Sequence, residues 1–459
     1  MFKKCLVLSV AVSTASLSLA ANAVSDPERI EQLEAQLKQQ QEMLQQMQRE
    51  LQELKAQQTE QAVRPQQPRE LEAERPLVVD EDGPDLDFQI YGFVMADAIY
   101  DFKRVDPDWN DTLRVTTIPT EDGLYGSDGE VVYSVRQSRL GFAGKYNTPA
   151  GEVAALFEWE LFGVGGDAGQ TTPRLRHAWA EWNNIGIGQY WSNFMDADVF
   201  PNTIDYWGPT GMVFYRNKQL RYTIPMAEDE FSIALEDPDT ALTVGKFRDE
   251  CIDPLESNCD SVLNDVLQKY NDVPDLTLRY RNNTDWGHWQ FAGIARKLGY
   301  ERLDTGEKDS EFGWGVNAST VINTTGQDRL KLQLVYGEGI GNYMNDGGID
   351  IAPESALRPG NTAETVPITG IVAYYDHYWN DRWSTSVGWS GIFLDTTSGQ
   401  AESEFDKGQI AQINLLHYPT NGVMIGGELI WGERVDISGA DGYDVRAQLS
   451  LKVNFPREN

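Results

Sequence analysis

Two hydrophobic periods divide the chain. Between Ile30 and Leu54 the apolar positions are Ile30, Leu33, Leu37, Leu44, Met47, Leu51 and Leu54, in unbroken steps of three and four once Gln40 is counted at the remaining core position. Glu, Gln, Lys and Arg fill most of the rest. This spacing predicts a helical coiled coil of about four heptads, with Gln40 fixing register at some cost in stability. A lone helix of that length is marginal in water, so association follows, unless the helix docks on its own domain. From Phe88 onward the period becomes two. Phe88, Ile90, Gly92, Val94, Ala96, Ala98, Tyr100 and Phe102 share one face, against Gln89, Asp97, Asp101 and Lys103 on the other. Similar alternation returns at 153–161, 276–281, 312–319, 330–336 and 443–455.

The connections between these strands alternate in length. Short turns are read at 147–151, 183–184, 225–229, 284–285, 324–327, 380–381 and 420–422, and long segments at 104–131, 196–211, 237–275, 339–364 and 395–406. Short turns on one rim and long loops on the other, joining strands whose apolar face is capped by aromatics, predict an all-β transmembrane barrel of about 16 antiparallel strands. A barrel of that size is expected to leave an aqueous channel. The competing reading is a secreted or surface all-β binding protein of lectin or adhesin type. It offers no reason for an apolar face the height of a membrane on strand after strand.

The remaining segments follow from composition. Lys3 and Lys4, an apolar run from Cys5 to Ala20 and the small residues Ala21-Asn22-Ala23 predict a secretory signal over 1–23. The coiled coil then spans 24–58, a Pro-rich linker 59–86 and the barrel 87–459. Pro65, Pro68, Pro76 and Pro84 lie among Gln and charged residues that cannot bury a core. Once Cys5 leaves with the signal, Cys251 and Cys259 remain, close together in an exported chain. They are read as one loop disulfide.

Charge changes the picture in two ways. With 38 Lys and Arg against 71 Asp and Glu the net charge is −33, which argues against a nucleic-acid partner. Most acids, however, cluster in long loops: Asp106, Asp108, Asp111, Glu121, Asp122 and Asp128 in one, Asp249, Glu250, Asp253, Glu256 and Asp260 in another. Parity assigns Arg139, Arg174, Arg176, Arg221, Arg279, Arg281, Arg296, Lys331, Arg446 and Lys452 to the inner face, with fewer acids, chiefly Asp97, Asp101, Glu158, Glu160 and Glu428. A basic lining selects anions, and Glu158 with Glu160 is read as the acidic half of a field across the lumen. The loop acids are expected to bind divalent cations weakly, bridging to lipopolysaccharide phosphates. No resident cofactor or metal site is expected. Nor is an enzyme: the chain has no Gly-x-Ser-x-Gly or His-Glu-x-x-His, and His177, His288, His377 and His417 are scattered near strand ends.

The segment 189–221 is rich in aromatics, Pro and Gly, including Asp205-Tyr206-Trp207-Gly208-Pro209, and follows the fifth strand. General porins fold a constriction loop into the lumen at that place, so Tyr206 and Trp207 are expected to narrow the passage. Signal, coiled coil, linker and barrel in one chain, with the phrases Ile90-Tyr91-Gly92-Phe93, Arg136-Gln137-Ser138-Arg139-Leu140-Gly141-Phe142-Ala143-Gly144 and Thr148-Pro149-Ala150-Gly151-Glu152, resemble the DcaP-like family of trimeric bacterial outer-membrane porins. The resemblance implies a homotrimer in outer-membrane lipid, its coiled coil in the periplasm, passing small anionic solutes such as dicarboxylates. One departure is that Phe455 is followed by four more residues rather than ending the chain.

Overall fold

A computed structural model describes residues 86–243, 245, 267–302, 305–355 and 362–455. The signal, the coiled coil, nearly all of the linker and both Cys251 and Cys259 lie outside the described residues. These residues form a closed antiparallel barrel of 16 strands. In chain order the strands are β1 (Leu86–Asp101), β2 (Glu130–Ser134 and Arg139–Thr148), β3 (Gly151–Phe162), β4 (Thr171–Trp182), β5 (Ile185–Trp191), β6 (Arg216–Met226), β7 (Asp229–Glu236) and β8 (Leu267–Tyr270 and Asp275–Thr284). The second half comprises β9 (Gly287–Arg302), β10 (Glu307–Asn323), β11 (Arg329–Glu338), β12 (Pro367–Asn380), β13 (Trp383–Leu394), β14 (Phe405–Thr420), β15 (Val423–Asp436) and β16 (Asp441–Phe455). Pairing of Gly92 with Phe455 through Asp101 with Arg446 joins β1 to β16 and closes the sheet, so no edge remains.

Alternation decides which face meets lipid. On β1 the outward Phe88, Ile90, Val94 and Tyr100 are exposed, while Phe93, Met95, Asp97, Ile99 and Asp101 are buried inside. Outward aromatics gather at both rims: Phe88, Tyr146, Trp182, Trp286, Trp379 and Trp383 near the short turns, Tyr100, Tyr133, Phe312 and Tyr443 near the long loops. These are the interfacial girdles of a membrane barrel. His377 packs between Tyr375 and Trp379, and His417 against Trp383, within the short-turn girdle. The short turns are tight enough to need left-handed backbone at Asn183 and Ala227, each with φ of 52°.

The interior departs from the open channel that strand number alone suggests. Loop L3, residues 192–215, enters the barrel after β5 and runs along the inner wall. Phe194, Met195 and Val199 of L3, with Met212 and Val213 on its return, pack on inward Val335, Val372, Ile392 and Ile410 in one apolar cluster. Closest approach falls where glycines meet: a Cβ on Gly211 would lie 2.1 Å from the Gly391 carbonyl oxygen and 2.9 Å from the Ile371 nitrogen. Loop L1, residues 102–129, also folds inward, burying Val105, Leu113, Val115 and Ile118. Gly408 and Gly432 leave room for it on β14 and β15. A 16-stranded wall is wide enough to be refilled by its own loops, and here much of the long-loop half is.

Candidate functional site: the constriction inside the barrel

L3 is held by polar pins from strand after strand. At its start Ser192 Oγ and the Asn193 amide donate to Glu236 Oε1 of β7, at 3.0 and 2.9 Å. Asp196 accepts from Ser319 of β10 at 2.6 Å and lies 2.9 Å from His288 of β9. Lys331 of β11, wholly buried, donates to the Phe200 carbonyl at 2.6 Å and pairs with Asp376 of β12 at 3.1 Å. Glu428 of β15 accepts the Ile204 and Asp205 amides at 2.9 and 3.2 Å. Asp205 then accepts from Thr112 at 2.7 Å and from the Leu113 amide at 3.1 Å in L1, and from Arg446 of β16 at 3.3 Å.

Tyr206 and Trp207, expected to narrow the passage, stand where L3 reaches the opposite wall. The Tyr206 ring stacks on Phe162 with centroids 3.9 Å apart, and its hydroxyl donates to Glu160 at 2.5 Å. Trp207 donates from Nε1 to Asp346 of the 339–366 loop at 3.0 Å. Arg114 of L1 sits over both Trp109 and Trp207, 4.3 and 4.0 Å from their centroids, and faces the same Asp346 carboxylate at 3.6 Å. Burial pushes the Asp346 carboxyl up, opposed by Arg114 and by donors from Thr210, Trp207 and Thr116.

The wall facing Tyr206 carries three of the predicted arginines, Arg139, Arg174 and Arg176. Arg176 lies across Glu158 and Glu160, with Nε to Glu158 at 2.5 Å and Nη1 to Glu160 at 2.7 Å. Arg139 approaches Glu158 at 3.4 Å, and Arg174 and Arg216 approach Glu160 at 3.7 and 3.6 Å. Four guanidiniums therefore surround two carboxylates. Glu158 and Glu160 do not act across the lumen as the sequence reading had it. Register places Glu160 beside Arg139 and Arg174 on neighbouring strands, so acids and bases neutralise one another along a single wall.

The other predicted arginines sit elsewhere. Arg221 is buried, donating to Gln219 and, at 2.5 Å, to the Trp191 carbonyl rather than to a carboxylate. Arg279 pairs with Glu230, and Arg281 with Asp198 and, at 3.5 Å, Asp196. Asp196, Asp198 and His288 bring potential metal-ligand atoms within 4.8 Å of one another. Arg281 already occupies both carboxylates, so the group reads as an ion-pair cluster anchoring L3.

Exposure separates the signs at the arginine wall. Glu158 and Glu160 are shut away from solvent, whereas the Arg114, Arg139 and Arg174 side chains keep 21%, 15% and 31% of their surface. Lower in the barrel Asp198 and Glu230 are partly exposed, each paired with an arginine. Two cations escaped the parity argument. Arg216 opens β6, where the inward run Asn217, Gln219, Arg221 assigns it to the outer face, and the strand end turns it inward. Arg114 lies in a loop read as external. The acids of that loop are partly spent within the protein: Asp111 pairs with buried Arg136, and Asp128 with Arg104 at 3.1 Å.

A family model described as DcaP outer membrane protein matches residues 15–244. Among solved structures, the outer membrane channel DcaP of Acinetobacter baumannii is 21% identical, with a TM-score of 0.66 over 81% of this chain and 97% of that one. An anion-selective porin from Comamonas acidovorans is 9% identical, with a TM-score of 0.51 over 81% of this chain and all of that one. No curated protein matches. The barrel, its inward loops and the match over half its length agree: the chain belongs to the DcaP outer membrane protein family and is an outer-membrane β-barrel porin, a channel protein rather than an enzyme.

Proposed function

We propose that the channel favours small anions, dicarboxylates among them, over cations. The observation that carries this reading is the segregation of charge at the arginine wall, where both carboxylates are buried while the Arg139 and Arg174 side chains keep 15% and 31% of their surface. A permeating ion responds to the charge it can approach, because field from buried and compensated groups is weaker at the pore. Four arginines against two glutamates leave a local excess of about two positive charges, despite the chain's total of −33. Arg139 and Arg174, each partly exposed on the same wall, suit a solute with two carboxylates. The test is the reversal potential of purified protein in a planar bilayer under a KCl gradient. An anion-selective sign is expected, and a cation-selective one overturns the reading.

The same proposal includes a homotrimer. Its support is the heptad pattern of 24–58, which needs partner helices and would stand in the periplasm. Native mass measurement of the detergent-solubilised protein should find three chains, and a stable monomer would refute the trimer. Lipopolysaccharide at the outer rim, weak divalent-cation binding there and a Cys251 to Cys259 bridge belong to this reading too. Loss of thermal stability on EDTA treatment or on reduction would support the last two.

A further inference from the structure

Arg114, Arg174 and Arg216 differ from the other cations of the constriction in what their guanidiniums touch. Arg114 lies 3.6 Å from Asp346 Oδ1, while Arg216 and Arg174 lie 3.6 and 3.7 Å from Glu160 Oε1, all beyond hydrogen-bond length. Those carboxylates already accept from other donors. Asp346 is held by Thr116, Trp207 and Thr210, and Glu160 by Tyr206 and Arg176. Among the described residues these three guanidiniums therefore donate no hydrogen bond. Arg114 Nε and Arg216 Nη1 are buried without a partner. The Nη atoms of Arg114 and every nitrogen of Arg174, equally unpartnered, are not among the buried atoms and so are open to solvent.

Arg174 and Arg216 converge on one Glu160 oxygen, where the Tyr206 hydroxyl also ends. Arg114 stands over the neighbouring Trp207 ring. Burial lowers the Arg114 guanidinium, Asp346 opposes this, and the charge of Arg174 lowers it further, which puts the two arginines within electrostatic reach of each other. Each guanidinium carries five N–H donors, and leaving them unfilled in a partly desolvated place is costly. An anion with several oxygens around one centre completes the set. A carboxylate presents two oxygens, whereas a phosphate presents at least three and can be gripped by forks from more than one side. Arg114 with Asp346 leaves the wall's excess of about two positive charges unaltered, and a phosphate monoester carries about −1.5 to −2 at neutral pH. Glu160 and Asp346 are closed to solvent, so neither carboxylate confronts such a ligand. We propose that Arg114 and Arg174, backed by the charge of Arg216, form a binding site for phosphate dianions and small phosphate monoesters at the constriction. The site deepens the anion-channel reading and rests on it for the route by which the ligand arrives.

Sodium phosphate titrated into the detergent-solubilised full-length mature protein, at a mildly alkaline pH where the dianion predominates and followed by calorimetry, tests the site without requiring conduction. Saturable binding, tighter than that of acetate or of the two-headed dianion succinate, is expected. Arg114→Gln and Arg174→Gln should each weaken it by about tenfold or more, the loss that goes with charge-assisted hydrogen bonds. Neither side chain donates a hydrogen bond within the protein, so both variants should fold. Lys297→Gln, which removes a cation paired with Asp272 at the external rim, should leave phosphate binding unchanged. Absence of saturable phosphate binding, succinate affinity equal to or greater than that for phosphate, or binding by both arginine variants within about twofold of the parent would overturn the proposal. Anion selectivity in the bilayer without saturable phosphate binding would overturn the site alone, so its failure is distinguishable from failure of the anion-channel reading.

Discussion

Two walls of this barrel carry inward charge to different ends. On β2, β3 and β4, joined by Arg216 of β6, charges cluster with one another and leave the Arg139 and Arg174 side chains partly exposed. On β11 to β16 the inward Lys331, Asp376, Glu428 and Arg446 are buried almost completely and spend their hydrogen-bonding capacity on L3 and L1. The two sets look alike as residue types on alternating strands. What separates them is whether a loop lies on top. Where L3 backbone covers the wall, a charge becomes an anchor for its amides and carbonyls. Where the Tyr206 side chain rather than L3 backbone meets Glu160, part of the charge remains available to a solute.

If this contrast is right, anchors should respond in stability and the arginine wall in selectivity. The largest effect is expected at an exception to this division. Arg176 belongs to the solute-facing wall, yet its side chain is 4% exposed and compensates both Glu158 and Glu160. Arg176→Ala strands two buried carboxylates and should destabilise the barrel by about 3–5 kcal/mol, measured by urea unfolding in detergent. A loss below 1 kcal/mol would mean that Arg139, Arg174 and Arg216 take over fully.

Next is Glu428, whose carboxylate receives the Ile204 and Asp205 amides together with Asn414 Nδ2 at 2.9 Å. Glu428→Ala leaves those donors without their acceptor and should cost about 2–3 kcal/mol. It should also loosen L3, raising single-channel conductance, while Glu428→Gln, which keeps an acceptor, should be milder on both counts. Gly211→Ala places a Cβ 2.1 Å from the Gly391 oxygen and should cost about 1–3 kcal/mol by forcing L3 off the wall. Unchanged conductance in both Glu428→Ala and Gly211→Ala would show that L3 position does not set the passage.

A smaller energy but the more informative sign belongs to Arg174, 31% exposed and 3.7 Å from Glu160. Arg174→Gln should leave unfolding nearly unchanged and lower the anion-to-cation permeability ratio about twofold to fourfold, as expected for one screened charge near the path. Lys331→Met, by contrast, removes an L3 anchor and should leave the ratio unaltered. Reversed outcomes in this pair would dissolve the distinction between the walls. The smallest effect is expected at the rim, where Arg104 and Asp128 pair with both side chains well exposed. Asp128→Asn should move neither the melting temperature nor the reversal potential measurably.

The barrel itself was legible along the chain, because a strand's two-residue period records which side faces lipid and turn length records which rim it meets. The strand count, the closing pair of β1 with β16 and the placement of 192–215 after the fifth strand all follow from that one-dimensional pattern. Charges near strand centres were assigned to the correct face for the same reason. At β6 the argument failed on Arg216, since a strand's first residue is already bent toward its loop and parity loses meaning there. It failed on Arg114 because an acidic loop reads as external, and nothing local announces that Leu113, Val115 and Ile118 will turn it into the barrel.

Sequence alone therefore settled the architecture: local alternation and turn chemistry suffice when each strand pairs with its neighbours in order. Tertiary structure alone decided the identity of the constriction. Whether Glu160 stands in a field or neutralises Arg176, and whether Lys331 meets solute or the Phe200 carbonyl, depends on contacts between residues 16 to 131 positions apart. Such contacts form only once closure of the sheet brings opposite walls within reach of one folded loop, and desolvation by that loop converts a lining charge into a structural one.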